Sequence, residues 1–519
     1  MPHQSGELSD IFAPRSQFYE GPYGRMFRNL PPHVPAGGDA EIRDLAETMV
    51  ESPAEAEDKA RDNDTIPSGY IYFGQFVAHD ITFDPTSSLQ RRNDPDKLYN
   101  FRTPRFDLDS LYGGGPKASP YMFDRKGYIT HDGTPCAMLI GHGNNEREAD
   151  LPRNHQERAL IGDLRNDENV IVSQIHLAFL KFHNRVVREL FERKNALDSN
   201  LLAEAQRIVR WHYQWVVVHD FLKRVVGKET YERVLPDAMG DTRKPRLRFY
   251  KWKNQPYIPI EFSVAAFRFG HTMLRPDYAL SDPLEDKRGQ EKKSRKIPLF
   301  RPMPGIHILT PDDLSGFRRL EKHWTIQWNR FLEDPDPFTS SQVQLSRRIN
   351  SKLSSHLVFL PFVSQKDQDE VIQTKIPSQR SRASLAVRNL TRGRQMELPS
   401  GQCIARAMGY PIPDALRPAQ DDPLWYFILK EAGLPEELGG PGGKHLGPVG
   451  GTIVAEVILG LLASDPFSYL NMEPLWTPNQ ERVLRITEKD NPYDFQLFDM
   501  LKYAKVPMNK QEVSRYFNQ

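Results

Sequence analysis

Cysteine is nearly missing from this chain: there are two in 519 residues, Cys136 and Cys403. A disulfide framework is thereby excluded, and at most one bridge could form. An excess of charge is missing too. Lys and Arg number 69 against 68 Asp and Glu, a formal charge of +1. That balance offers neither the basic footprint of a nucleic-acid binder nor a strong attraction to anionic membrane. No apolar run is long enough to span a bilayer. The most apolar stretch, GGTIVAEVILGLLA at 450–463, falls short of the roughly 20 residues needed and carries Glu456. It is expected to be a buried core helix. The opening residues, MPHQSGELSDIFAPRSQ, lack the charged-then-apolar pattern of a leader. The expectation is a chain that is cytoplasmic, or exported without a cleaved signal peptide. Internal repeats and an alternating strand–helix pattern are absent as well, which argues against solenoids and parallel-sheet folds.

What the chain does have is aromatic core material and proline. With 28 Phe, 19 Tyr and 7 Trp it can build a large core, while 42 prolines at 39% hydrophobic content point to long ordered loops around helices. Residues 1–45 carry Pro14, Pro22, Pro31, Pro32 and Pro35 and read as an extended N-terminal arm; 46–519 read as one large domain. Helical periodicity predicts helices near 40–60, from 169 to 190, over 201–226 and 261–274, and near 312–333, 340–358, 400–408 and 450–463. Residues 84–160 read as ordered loops and 280–300 as a charged, exposed segment. The fold class expected is mainly α: a single large helical domain with long ordered loops and little β.

Five segments carry residues with chemical potential. In GQFVAHD (74–80), Gln75 and His79 lie four apart in an apolar run, so a helix would aim both into one pocket, with Asp80 turned roughly 100° away. Acid–base work at His79 and cation ligation at Asp80 could start from one turn; a buried polar pair satisfied by backbone fits the same residues. In TPRFDLDSLYG (103–113), Thr103, Arg105, Asp107 and Asp109 fall at alternate positions. Their oxygens, with Arg105 giving only its backbone carbonyl, could converge on a hard cation such as Ca²⁺. A solvated turn fits them too. In GDLRNDEN (162–169), Arg165 is a fixed cation and Glu168 follows three later; acidic decoration of a helix start is the alternative. FRFGHTMLRP (267–276) sets His271 among apolar neighbours, where a core histidine and a ligand look alike. LAVRNLTRGRQMELPSGQ (385–402) holds Asn389 on a buried turn or helix.

Taken in order, these segments resemble the animal-type haem peroxidases, the superfamily of myeloperoxidase and lactoperoxidase. The shared order is G-Q-x-x-x-H-D, T-x-x-x-D-x-D/S-x-x-Y-G, G-D-x-R-x-x-E, F-R-x-G-H-T and R-N-x-x-R-x-R. HLAFLKFHNRVVREL (176–190) and GRMFRNLPP (24–32) also look like family sequence, so the resemblance covers about residues 20–505. A bacterial-type member is the expectation, given the opening residues.

The resemblance implies a peroxidase that reduces hydrogen peroxide and, via compound I, oxidises halide, thiocyanate or small phenols. It implies haem b, with His79 as distal base, Arg165 as distal cation and Gln75 orienting water or halide. His271 would be the proximal iron ligand, with Asn389 accepting a hydrogen bond from its other nitrogen. Asp80, Thr103, the Arg105 carbonyl, Asp107 and Asp109 would hold Ca²⁺. Two departures from the mammalian pattern stand out. Ala78 occupies the position of an ester-forming Asp, and Asn169 that of the Met that forms a sulfonium link. Glu168 leaves room for one ester to haem. Fewer links imply less haem distortion and a milder potential, hence bromide, iodide, thiocyanate or phenols before chloride. Two alternatives share the fold. A fatty-acid dioxygenase would need a tyrosine three residues before His271, where this chain has Arg268; a non-enzymatic adhesion or matrix relative would be expected to have lost one of His79, Arg165, His271 or Asn389, and all are present. Oligomeric state is not legible.

Overall fold

The computed structural model describes residues 23–83, 102–141, 150–194, 200–240, 243–252, 255–283, 296–300, 312–334, 343–358, 360, 384–418, 420–484, 486–487 and 489–517. Part of the expected arm (1–22), parts of the expected loop region (84–101 and 142–149) and most of the charged segment (284–295) lie outside the described residues.

The fold is mainly α. Strands among the described residues form two-stranded pairs only: Tyr23–Gly24 with Ile258–Pro259, Asp62–Pro67 with Leu345–Arg347, and Asp277–Ala279 with Lys296–Pro298. No described helix is long and apolar enough to cross a membrane.

The core forms where aromatic residues recur at helical spacing. The helix Gly69–Ile81 buries Tyr72, Phe73, Phe76 and Val77. Phe76 stacks on Phe179 of the long helix Val170–Lys194, with ring centroids 4.7 Å apart, and Tyr213 of the helix Leu201–Val216 meets both rings edge-on. Offset and edge-on contacts of this kind add to plain area burial. After Val216 the chain continues helically through a wider turn, Val217–Leu222, which carries Phe221 onto the Gly69–Ile81 helix. Gly74 permits that approach, since a Cβ there would sit 2.9 Å from the Phe221 ring. The helix Pro448–Ser464 is apolar all round and buried through Leu462, as its composition requires. Its one carboxylate, Glu456, accepts the backbone N–H groups of Phe249 and Tyr250 at 2.7 and 2.9 Å, which satisfies the buried charge.

The structure corrects several sequence expectations. The helix Gly38–Thr48 begins inside the stretch read as an extended arm and packs against the helix Leu385–Gln395. Residues 261–274 are two pieces of different winding: a wide turn over Glu261–Ala265 and a tight 3₁₀ stretch over Ala266–Met273, broken at Ala265 (φ −127°). Stacking of Phe262 on Phe267 at 4.6 Å bridges that break. No long helix covers the described parts of 312–333 or 340–358; short 3₁₀ turns and the strand Leu345–Arg347 stand there. In that strand Arg347 reaches Asp62 while Leu345 pairs with Pro67, so tertiary pairing outweighs local periodicity. Helices Leu424–Gly433 and Leu497–Tyr503 were not anticipated. Both cysteines are unpaired, Cys136 buried and Cys403 half-buried.

Candidate functional site

Gln75 and His79 are the polar interruptions on the pocket side of an otherwise apolar helix, and both line a cavity of about 340 Å³. The same cavity is lined by Arg268, Gly270 and His271 from the 3₁₀ stretch, and by Arg165 and Glu168. Two histidines more than a hundred residues apart in sequence therefore face one space.

Around His79, Nδ1 lies 2.8 Å from Asn166 Oδ1, and Nε2 lies 3.8 Å from Glu168 Oε1. Burial, aided by the Arg165 charge, lowers the imidazole pKa to about 3, so the ring is neutral at ordinary pH. Burial raises the Glu168 carboxyl to about 7 against the opposing pull of Arg165. The Gln75 amide donates to Glu168 Oε1, tying the helix to the end of the cavity.

Arg165 is held from behind. Its Nε and Nη2 donate to Asp163 (Nη2 at 2.7 Å), and Nη2 also donates to the carbonyls of His79 and Thr82 at 3.0 and 2.6 Å. The guanidinium lies over the Phe83 ring at 4.6 Å. Among the described residues Nη1 makes no hydrogen bond, and Arg165 lines the cavity. Burial opposes ionisation of Asp163, but Arg165 and Arg102 outweigh it and keep the carboxyl far below its usual range. Gly162 explains why this loop comes so close: a Cβ there would be 2.6 Å from the carbonyl oxygens of Asp109 and Ser110.

At the second histidine of the cavity, burial and then Arg268 lower the His271 imidazole to about 3. Its Nε2 makes no hydrogen bond among the described residues. Its Nδ1 faces Asn389 Nδ2 at 3.0 Å. The expectation had Asn389 accepting from this histidine; the structure reverses the amide. Arg268 Nη1 donates to Asn389 Oδ1, and a guanidinium can only donate, so the amide oxygen must face it and the NH₂ must face His271. Arg268 also donates through Nε to the Ser263 carbonyl at 3.0 Å. Burial, with Arg392 nearby, lowers the Arg268 guanidinium to about 10. Arg165, Arg268 and Arg392 together line an adjoining cavity of about 230 Å³, and none of the described residues lining it carries a carboxylate. Such a concentration of cation is suited to an anionic group.

The Asp-rich loop folds beneath the same helix. Asp80, Asp107 and Asp109 are buried, with ligand atoms all within 4.8 Å of one another. Leu108 takes the left-handed conformation (φ 58°), which turns Asp107 and Asp109 toward one point and aims its own N–H at Asp80 Oδ2, 3.2 Å away. Ser110 Oγ donates to Asp80 Oδ1 at 2.9 Å. Thr103 Oγ1 donates to Asp107 Oδ2 at 2.6 Å. The Arg105 side chain lies by Asp465 at 3.9 Å and takes no part in the cluster. Burial, then Asp107, raises Asp80 to about 7, and burial holds Asp109 well above its usual range despite Arg102. Asp109 Oδ2 is buried without a hydrogen-bond partner. An orphaned buried carboxylate oxygen beside two others fits a divalent cation with oxygen ligands.

Sequence reading missed Arg102, Asp163, Asn166, Arg268 and Arg392 as site residues. Arg102 is buried and joins the two halves of the site: Nη1 donates to Asp109 at 3.2 Å, Nη2 lies 2.7 Å from Asp163, and Asp163 in turn holds Arg165. The G-D and F-R pairs of the quoted segments carried that signal, but pairing across the fold was needed to read it. Tyr70, the one tyrosine among the cavity's lining residues, donates its hydroxyl to Asp220 at 2.7 Å.

A family model described as animal haem peroxidase matches residues 87–411. A peroxidasin homologue of Caenorhabditis elegans, pxn-2, is 28% identical over 223 residues, 41% of this chain but 16% of that protein. The chain thus spans a small part of that relative's length. Among solved structures, peroxidase A of Dictyostelium discoideum superposes with a TM-score of 0.58 at 16% identity, covering 94% of this chain and 93% of that one. A fatty acid alpha-dioxygenase of Oryza sativa gives a TM-score of 0.56 at 14% identity, covering 92% and 79%. At such identities the two superpositions show a common fold.

Proposed function

The chain belongs to the animal haem peroxidase family, and from that membership and the cavity lined by both His79 and His271 we propose that it is a haem peroxidase acting on hydrogen peroxide. The observation that carries the reading is the pair of neutral imidazoles, His79 and His271, lining one cavity of about 340 Å³. The residues present fit haem b. His271 would hold the iron through Nε2, and the arginine-lined cavity made by Arg165, Arg268 and Arg392 would take its two propionates. Bound there, the haem supplies the iron that receives peroxide and the oxidising equivalents passed to a donor.

The chain's own residues then have defined work. His79, neutral, would take a proton at Nε2 from one peroxide oxygen and return it to the other, which leaves as water. Arg165, held by Asp163, offers its Nη1 to the charge that develops as the O–O bond breaks. Gln75 and Glu168 form the rim where water or a halide is oriented. Glu168 is the candidate for a single ester with a haem methyl, a two-electron oxidation for which hydrogen peroxide would be the oxidant, and Ala78 offers none. With Nε2 holding the metal, the His271 ring proton sits on Nδ1, so loading the haem requires the Asn389 amide to turn its oxygen toward His271 and away from Arg268. Asp80, Asp107 and Asp109, with Thr103 and the Arg105 carbonyl as further oxygen donors, bind Ca²⁺ and anchor the helix carrying His79.

The donor is a halide, thiocyanate or small phenol, with bromide ahead of chloride. No tyrosine adjoins His271 and Tyr70 is tied to Asp220, which disfavours the fatty-acid alternative. Purified protein loaded with haem is expected to show a Soret band and turn over peroxide. His271→Ala should lose haem. His79→Ala should keep it and slow the peroxide step by about 10²–10⁴. Absence of a Soret band in the wild type, or undiminished turnover in His79→Ala, overturns the reading. Chloride oxidised at acid pH as fast as bromide would refute the donor order.

A further inference from the structure

Behind His79 lies a row of buried polar groups to which the proposed reaction gives no role. Asn166 is fully buried, with Oδ1 2.8 Å from His79 Nδ1 and Nδ2 3.0 Å from His176 Nδ1. His176 is fully buried too, and its Nε2 has no hydrogen-bond partner. An orphaned buried nitrogen costs on the order of 1–3 kcal/mol, so apolar residues at 166 and 176 would pack more cheaply. Asn166 sits in the turn Leu164–Asp167, the same turn that places Arg165 at the front of His79. One short segment thus supplies both the cation facing the cavity and the amide behind the imidazole.

The two ends of a carboxamide are not equivalent. Its oxygen only accepts, so a bond to His79 Nδ1 forms only when that nitrogen carries the ring proton. The lone pair is then on Nε2, the nitrogen facing the cavity and Glu168. The Nδ2 end only donates, so His176 must present a bare Nδ1. If the amide turned over, its NH₂ would demand a bare Nδ1 on His79, and the proton would move to the cavity side. We propose that Asn166, with its oxygen toward His79 and its NH₂ toward His176, is a positioning residue that holds His79 in the tautomer whose Nε2 can accept the peroxide proton. This rests on the peroxidase reading and extends it. Unlike a carboxylate in the same place, a neutral amide holds the tautomer without stabilising the charged ring, so the proton is readily passed on.

The test uses haem-loaded full-length protein with Asn166→Leu, Asn166→Ala, Asn166→Asp and His176→Leu. A histidine base in the wrong tautomer loses up to about 10⁴-fold. Asn166→Leu and Asn166→Ala should slow the peroxide step by about 10²–10³-fold with the donor KM unchanged. Asn166→Asp keeps the acceptor for His79, and His176 can change tautomer to donate to it. Its rate should return to within about tenfold of wild type. His176→Leu should fall between. Association of cyanide, followed by its shift of the Soret band, gives a readout apart from turnover. It enters as HCN and needs the same nitrogen to take its proton, so it should slow in the same order. Haem content and Soret position report folding, and Asn166→Ala serves if the Leu variant does not fold. A haem-replete Asn166→Ala or Asn166→Leu that reacts within threefold of wild type, or an Asp variant no faster than Ala, overturns the inference. If His79→Ala itself reacts like wild type, the peroxidase reading has failed instead.

Discussion

Replacing Arg102 with methionine probes the joint between the carboxylate cluster and the distal cation. Arg102 is 2% exposed and donates to Asp109 at 3.2 Å, to Asp163 through Nε at 3.0 Å, and to the Gly162 carbonyl at 2.9 Å. At an effective dielectric of about 20, each ion pair at such distances is worth about 5 kcal/mol of attraction, most of it offset by the desolvation of the charges. Removing the cation alone leaves the carboxylates buried, and breaking a buried pair in this way costs about 3–5 kcal/mol. Asp163 keeps Arg165 as partner, and Asp109 can hold its proton, so the lower end, about 3 kcal/mol, is expected. Urea unfolding followed by tryptophan fluorescence, with and without millimolar Ca²⁺, measures this. The cation should recover part of the loss, and stabilise Arg102→Met more than wild type, because it restores positive charge beside Asp109. A loss under about 1 kcal/mol, or equal stabilisation of both proteins by Ca²⁺, would refute the coupling.

Other expectations follow from the same geometry. Asp109→Asn should abolish stabilisation by Ca²⁺, and EGTA should destabilise wild type but leave the variant unchanged; an EGTA effect in both would mean that the ion sits elsewhere. Glu431 accepts the N–H groups of Val449 and Gly450 at 3.0 and 3.3 Å, yet burial raises its carboxyl from 4.5 to about 7. The folded state therefore holds this proton more tightly than the unfolded state. Its contribution is full below pH 4.5 and lost as pH rises through about 7, up to about 3 kcal/mol. Glu431→Gln should remove that part of the pH dependence between about pH 4.5 and 7, and an unchanged slope in urea unfolding would contradict it.

Much of this protein was written in local pattern. The aromatic spacing around Gln75 and His79 determined a helix with one polar pair on its pocket side, because residues four apart on a helix share a face whatever surrounds them. Alternate oxygens in 103–109 foreshadowed the carboxylate cluster for a similar reason, since a turning loop brings every second residue to one side. Both are short-range geometry. The failures were long-range. Residues 340–358 carry helical periodicity, but Leu345–Arg347 found a strand partner at Asp62–Pro67. The orientation of the Asn389 amide depends on Arg268, 121 positions away in the chain. Arg102 became the bridge between two half-sites only because Gly162 lets their backbones touch. Side-chain identity and helical period determined which groups could act; which atom of each faces which partner was decided by tertiary packing, because buried donors and acceptors are satisfied by whatever the fold brings beside them.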